Sequence, residues 1–495
     1  MRIFLKILLV GSVLSFSSCS NKIIQPVSNP NPWADDYRSI SGMENYMQWG
    51  PYNVHDPSVR LVGDTYYAYS TDAIFAESRK EIKEKNLPFG YIQVRKSKDL
   101  VNWEFVGWAF EEIPEEAKNW VLENSGGRGA TNIWAPYMLE HNGKYRLYYS
   151  VSAFARQTSY IGLAESDSPE GPWELKGCVV KTKTGDQMNA IDPSIVTNPE
   201  TGEQWMHYGS YFGGLFCVQL NPETGLTMVE NDQGHLTAKR FNLKKNNNEA
   251  PEIIYNPELK KYFLFVSYDP LMTTYNIRVG RSDNPEGPFV DYFGKDFRLD
   301  EDNLPILTYP YQFKGHKGWA GTGHNSTFRN EKGDYFIASQ ARLSPDNHLM
   351  VMHVRQIFWT KDGWPVVSPQ RYAGTEQQNI KKKDVAGNWE IITIHGDAPL
   401  RDLEAGQILW GENLLKSEEV NRSQLITLEK SGKISGELNG EWKYEKGELK
   451  LNLEHNNAEV QLFMGQDWEN EMKTILFTGL NDRGYSVWGK KVKSE

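Results

Sequence analysis

Three carboxylates and one imidazole recur at equivalent points of a repeated motif. Asp56 stands in His55-Asp56-Pro57-Ser58, Asp192 in Ile191-Asp192-Pro193-Ser194, Glu249 in Glu249-Ala250-Pro251-Glu252 and His324 in Gly323-His324-Asn325-Ser326. An Asp before Pro is by itself an ordinary turn former. Acids at one register of three copies are a different matter, because a structural repeat needs only apolar strand residues there. Counted from the proline, Asp56 and Asp192 share a register, with Glu249 and His324 one residue earlier. Carboxylates crowded into one cleft repel each other, so their pKa values separate and one stays ionised while another keeps its proton. A base and an acid on opposite sides of a bond are the apparatus of glycoside hydrolysis, and a third carboxylate can tune the acid.

These groups meet only if the repeats are arranged around an axis. Each motif opens a hairpin: a Gly63-Asp64 turn follows the first, Asn142-Gly143 the copy at Trp134-Ala135-Pro136-Tyr137, Asn198-Pro199 the third, Asn256-Pro257 the fourth and Gly333-Asp334 the fifth. Apolar second strands follow these turns, as hairpin rules require. The copies start near 57, 136, 193, 251 and 326, and Ser168-Pro-Glu-Gly-Pro-Trp173 recurs as Asn284-Pro-Glu-Gly-Pro-Phe289. Units long enough for four strands each predict an all-β chain opening with a five-bladed β-propeller, whose first strands line the central channel. Phe75 to Leu87 and Glu111 to Ala130 are then insertions. A β-sandwich array would leave the recurring polar position unexplained.

From about Asn388 short alternating strands with Gly turns predict a small antiparallel β-barrel or sandwich. The expected organisation is a propeller over 33–373, a linker over 374–387 that includes Lys381 to Lys383, and a β domain over 388–495. At the other end, Arg2 and Lys6 precede an apolar stretch, Ile7 to Phe16, too short to span a bilayer. Residues 1–18 thus read as a signal peptide. Ser17-Ser18-Cys19 has the form of a lipoprotein cleavage site, with Cys19 the lipidated residue and 19–32 a tether, the alternative being ordinary secretion. Among 495 residues, 54 Lys+Arg against 64 Asp+Glu give a net charge of −10, which argues against an extended nucleic-acid interface. Cys178 and Cys217 form no Cys-x-x-Cys spacing, so a thiolate zinc site is not expected, and both a disulfide and two separate thiols stay open. With 16 Trp, 25 Tyr and 21 Phe, the chain has rings to spare for both core and ligand.

Taken as an ordered set with Ile133-Trp134-Ala135-Pro136 and Tyr208-Gly209-Ser210-Tyr211-Phe212-Gly213-Gly214, the motifs over about 33–373 resemble glycoside hydrolase family 43. The resemblance implies a five-bladed propeller and a single-displacement, inverting reaction. It implies Asp56 as general base, Glu249 as general acid, with Glu252 the rival, and Asp192 as the group that raises and orients the acid. Trp134 is similar to the ring bordering the sugar, Phe212 and Gly213 belong to a substrate segment, and Arg342 is placed to reach a hydroxyl or to form a surface ion pair. His324 resembles the axial histidine beside a largely hydrated calcium. The last region resembles the lipocalin-like domain of two-domain endo-arabinanases. The implied activity is cleavage of internal α-1,5 links of arabinan by a monomer that touches membrane only through its anchor. The alternatives are an exo-acting arabinofuranosidase or β-xylosidase, for which the insertions would wall off one end of the cleft, and a non-catalytic glycan-binding lipoprotein.

Overall fold

The computed structural model describes residues 34–72, 79–240, 248–299, 302–345, 348–396, 415–445, 447–454 and 456–493. The expected signal peptide, Cys19 and the tether lie outside the described residues.

Four antiparallel four-stranded sheets follow one another along the chain, each in simple sequential order. The first contains β1 (Val54–Val62), β2 (Thr65–Asp72), β3 (Tyr91–Ser97) and β4 (Glu104–Phe110). The second contains β5 (Ile133–His141), β6 (Lys144–Ser152), β7 (Ser159–Ser166) and β8 (Glu174–Thr182). The third has β9 (Ser194–Thr197), β10 (Gln204–Ser210), β11 (Gly214–Leu220) and β12 (His235–Ala238). The fourth has β13 (Asn248–Asn256), β14 (Lys261–Tyr268), β15 (Asn276–Ser282) and β16 (Ile306–Thr308).

The fifth repeat does not stand alone, so the described residues hold four separate blades where five were expected. It lies in a seven-stranded sheet containing β17 (Tyr311–Gln312), β18 (Trp319–Ala320), β19 (Asn325–Arg329), β20 (Tyr335–Leu343), β21 (Met350–Trp359), β22 (Pro365–Val367) and β24 (Asn421–Arg422). The physical reason is that β18 extends the edge of β20 beside β19, and β17 then pairs in parallel with β24. The arrangement is propeller-like. Apolar clusters fill the seams between successive sheets, and one of them, with Val54, Ala68 and Trp103 against Phe328, Phe336 and Val354, joins the last sheet to the first. Backbone bonds reinforce this closure: Asn53 donates to Met350 at 2.8 Å and Met352 to Pro51 at 2.8 Å.

The C-terminal region is a closed eight-stranded barrel of β23 (Gly387–Ile394), β25 (Gln424–Leu428), β26 (Lys433–Gly436), β27 (Gly440–Glu445), β28 (Glu448–Leu453), β29 (Asn456–Asp467), β30 (Met472–Asn481) and β31 (Ser486–Lys491). Closure comes from β31, which pairs with both β30 and β23 and so leaves no free edge. In the linker before the barrel Lys381 to Lys383 are exposed, while its end packs against the barrel. Its Lys382–Val385 turn buries Val385 in the barrel core, Trp389 donates to the Val385 carbonyl, and Tyr444 donates to that of Ile380. The barrel is fastened to the propeller side by Thr478 donating to Val367 and Ser486 to Ile306. Nearby, Lys490 is fully buried against Asp467 at 2.9 Å and Glu469 at 2.8 Å. Both Cys178 and Cys217 are free thiols.

Candidate active site

Five backbone distortions create the site. Asp56, Ala135, Asp192, Ala250 and His324 all have left-handed backbone, with φ between +42° and +59°. Such a conformation costs a non-glycine residue about 1–2 kcal/mol, and persists only where surroundings enforce it. In three of the five repeats it accompanies a bulge near the head of the first strand, marked by register breaks at His55/Ser58, Trp134/Tyr137 and Glu249/Glu252. The N–H of each residue is held by a neighbouring repeat. Ala135 donates to Thr71 Oγ1 at 2.8 Å, Asp192 to Ser150 Oγ at 3.1 Å, His324 to Ser267 Oγ at 2.8 Å and Asp56 to Gln340 Oε1 at 3.2 Å. At the remaining seam Ala250 donates to Asp192 Oδ2 at 3.1 Å. The count from proline therefore needs one correction: His324 shares the position of Asp56 and Asp192, and only Glu249 is one residue earlier. The fifth copy has Asn325 where the others have proline, which displaced the count.

Asp56 is 7% exposed and stands between two imidazoles, 3.0 Å from His324 Nδ1 and 3.4 Å from His55 Nδ1, while Thr71 donates to its Oδ2 at 2.8 Å. Burial pushes the carboxyl up, but the two histidines and these hydrogen bonds outweigh it and hold Asp56 well below the usual carboxylate range. His324 responds in the opposite sense: burial works against its charge, yet Asp56 first, then Asp192 and Glu249, raise it to about 9. His55 is pushed down to about 4, chiefly by burial, and is neutral at pH 7. Asp192 and Glu249 are both raised, burial being the main cause. For Glu249 the Asp192 charge adds to it, and for Asp192 the Asp56 charge does so against the pull of His324. At neutral pH the cluster thus holds an ionised Asp56 and a proton on the Asp192 and Glu249 pair, the state that a base and an acid require.

Tyr275 completes the arrangement and was not singled out in the sequence. Its hydroxyl donates to Glu249 Oε1 at 2.8 Å, and its ring lies so close to Gly323 that a Cβ there would be 2.2 Å from the ring. Glu252, the rival acid, is committed elsewhere. Buried below the site, it accepts from Ser194 Oγ and the Thr327 N–H, each at 2.7 Å, and faces Arg60 at 3.5 Å. Arg60 in turn lies 4.4 Å over the Tyr137 ring.

The profile of Glycosyl hydrolases family 43 matches residues 50–365, and a C-terminal lipocalin-like domain profile matches 369–489. This chain belongs to glycosyl hydrolase family 43. It is 29% identical over 486 residues to an extracellular endo-α-(1→5)-L-arabinanase of Thermotoga petrophila, covering 89% of this chain and 94% of that protein. It is 33% identical over 348 residues to an extracellular exo-α-(1→5)-L-arabinofuranosidase of Cellvibrio japonicus, covering 66% of this chain and 90% of the relative. The crystal structure of endo-1,5-α-L-arabinanase from Thermotoga petrophila RKU-1 superposes with a TM-score of 0.73 at 27% identity, over 89% of this chain and 99% of the other.

The remaining expected residues of this family 43 chain are distributed unevenly. Trp134 is half-buried at the register of His55 and Glu249, and meets Phe154 edge-on with centroids 6.4 Å apart. Phe212 is 43% exposed at the turn between β10 and β11. Gly213 serves packing, since a Cβ would fall 1.8 Å from the Gln187 carbonyl oxygen. Arg342 is buried at 2%, which removes the surface ion-pair reading, and its guanidinium is 3.4 Å from His55 Nε2. The insertion at 111–130 carries a helix, Glu115–Asn124, whose Ala117 and Val121 are buried in the cluster shared by the first two sheets. Calcium finds no cage here. Among the described residues no three His, Cys, Asp or Glu side chains converge as a ligand set. His324 commits Nδ1 to Asp56 and carries a proton, and calcium prefers oxygen donors. These residues do not fit a directly liganded calcium.

Proposed function

We propose that this chain is an inverting endo-acting hydrolase of the α-1,5 links of arabinan. The observation that carries the chemistry is the placement of the two carboxyls, Asp56 beside His324 and Thr71 and Glu249 beside Tyr275, in surroundings that drive them to opposite charge states. Asp56, ionised and held by Thr71 and His324, is the base that activates water. Glu249, its carboxyl raised, protonates the leaving oxygen, and Asp192 supplies the negative charge that helps to keep the proton there. In an inverting pair these carboxyls are separated by about 6.5–9.5 Å, room for a water. Trp134 and Phe212 offer ring faces to a neutral sugar, and Arg342 orients His55 beside the base. The choice of arabinan and of internal cleavage is supported by the endo-arabinanase relatives, which match over both regions of the chain. The exo reading is supported by the Cellvibrio japonicus relative, which matches over two-thirds of the chain or slightly less.

In this reading the seven-stranded sheet acts as the fifth blade, because β19 to β22 run in blade order with His324 at their head. The organisation is a propeller over 33–373 joined to a barrel over 388–495, the monomer being exported behind residues 1–18 and anchored by lipid at Cys19. Sizing of early products from linear arabinan tests the central claim. Oligosaccharides of several lengths are expected, and release of arabinose alone overturns the endo reading. Glu249→Ala should lower turnover by about 10²-fold or more, the usual contribution of a general acid; unchanged turnover would remove Glu249 as the acid, and no turnover even in the unaltered protein would favour the glycan-binding alternative. A first-formed product with retained anomeric configuration, seen by NMR, would refute Asp56 as base. Labelling with a radioactive fatty acid tests Cys19. For a water-held calcium beside His324, chelation that changes neither activity nor stability removes the idea.

A further inference from the structure

We propose that Tyr275 is the positioning residue of the acid: its hydroxyl fixes the Glu249 carboxyl so that Oε2 is the oxygen presented to the leaving group. The inference rests on Glu249 being the acid, and deepens that reading.

Tyr275 is fully buried, and its hydroxyl donates to Glu249 Oε1 at 2.8 Å. A carboxyl has two oxygens, and an acid that can rotate presents either of them, or neither, to the bond being broken. With Oε1 accepting from a fixed phenol, the proton resides on Oε2, and the plane of the carboxyl is set by the ring. The residue is itself held through its main chain. Its backbone N–H donates to the Pro270 carbonyl at 3.1 Å, and its carbonyl accepts from the Thr322 N–H at 3.0 Å and the Thr322 hydroxyl at 3.3 Å. Gly323, next in sequence, has no side chain to hold the ring away.

The loop that carries Tyr275 is anchored at its other end. Asp269 is 2% exposed, forms an ion pair with Arg240 at 2.5 Å, and accepts from Asn276 Nδ2 at 2.7 Å. Its carbonyl accepts from the Tyr211 hydroxyl at 3.0 Å. The Tyr211-Phe212-Gly213-Gly214 turn and the acid-positioning loop therefore share one anchor. A group placed only to fill space would not need its hydroxyl aimed at a titrating oxygen, nor a buried ion pair holding its loop.

The test is Tyr275→Phe, which keeps the ring and removes the hydroxyl. Purified full-length protein is assayed on linear arabinan and on aryl arabino-oligosaccharides whose phenol leaving groups span a wide range of acidity. Good leaving groups need little protonation, so a defect in presenting the acid grows as the leaving group becomes poorer. Turnover on arabinan should fall about 10- to 100-fold, with a much smaller loss on the most acidic phenol. The high-pH limb should also move to higher pH, because the phenol donates to the ionised form of Glu249. A loss equal across all leaving groups, or an unmoved pH limb with unchanged turnover on arabinan, overturns the proposal. Glu249→Gln is run on the same series. If its loss does not depend on the leaving group, the acid assignment itself fails, whatever Tyr275→Phe does. Circular dichroism and thermal unfolding of Tyr275→Phe separate misfolding from mispositioning, and a Tyr275→Leu variant provides the comparison in which ring and hydroxyl are both lost.

Discussion

Adding one methyl group at Gly323 should disable the acid without touching it. A Cβ on Gly323 would lie 2.2, 2.5 and 2.6 Å from Cδ1, Cε1 and Cγ of Tyr275. Carbon atoms pack at about 3.5–4.0 Å, so the ring has to retreat by roughly 1.3 Å or the strand has to yield. The hydroxyl now sits 2.8 Å from Glu249 Oε1, and a displacement of that size takes it beyond hydrogen-bond range. Misplacement by about 1 Å near reacting atoms costs on the order of 10²-fold in rate. Overpacking of a tight core adds about 1–3 kcal/mol of destabilisation. Gly323→Ala should therefore lower kcat on linear arabinan about 10- to 100-fold, with KM little changed, and lower the unfolding midpoint in denaturant. The decisive assay is a double-mutant cycle with Tyr275→Ala. Once the ring is gone the methyl has nothing to strike, so Gly323→Ala should do little in that background. Wild-type kcat in Gly323→Ala, or effects that add to within about 0.5 kcal/mol as for residues not in contact, would refute the reasoning.

Asp192→Asn keeps an oxygen for the Ala250 N–H but removes the charge that raises Glu249, so Glu249 should release its proton earlier. The high-pH limb of kcat/KM should move to lower pH, and a limb that stays put would remove Asp192 from this role. Glu252→Gln leaves Arg60 without its anion in a buried site and should cost about 3–5 kcal/mol in denaturant unfolding, with kcat per folded molecule little changed. A large kcat loss at normal stability would return Glu252 to candidacy as the acid. Lys490→Ala leaves Asp467 and Glu469 facing each other without a cation, so its stability deficit should be larger at pH 7 than at pH 5, where protonation relieves the repulsion. An equal deficit at both values would contradict the charge argument.

The repeats were legible because hairpin turns and apolar second strands are local patterns, and the convergence of Asp56, Asp192, Glu249 and His324 followed from the repeat alone. The short alternating strands after Asn388 could be read as well. Barrel closure could not, because it is a long-range pairing of β31 with β23 that no local pattern announces. The merging of the fifth repeat into a larger sheet depends on two-residue strands, β17 and β18, too short to carry any periodicity. Tyr275 was hidden as one of 25 tyrosines, because its contact depends on the path of a loop. The hydroxyls of Thr71, Ser150 and Ser267 had a visible signal, a Ser or Thr near the end of each second strand, whose purpose appears only when the neighbouring repeat is alongside. The sequence ranks Glu249 above Glu252 as the acid, but the bonds Glu252 accepts from Ser194 and Thr327 become visible only when the repeats lie side by side.

The five left-handed positions also bear on how such a ring acquires and changes its chemistry. At four seams the neighbouring repeat grips the backbone N–H, so what the side chain carries is free to vary, and Ala135 shows that it can carry nothing. Each of these is a socket, and a new polar group can be introduced without redesigning the blade behind it. The seam at Ala250 is the exception, because there the gripping oxygen is that of Asp192. At this one place the scaffold and the reaction depend on the same carboxylate, and a lineage that abandoned hydrolysis while keeping the fold would still be held to an acceptor at position 192.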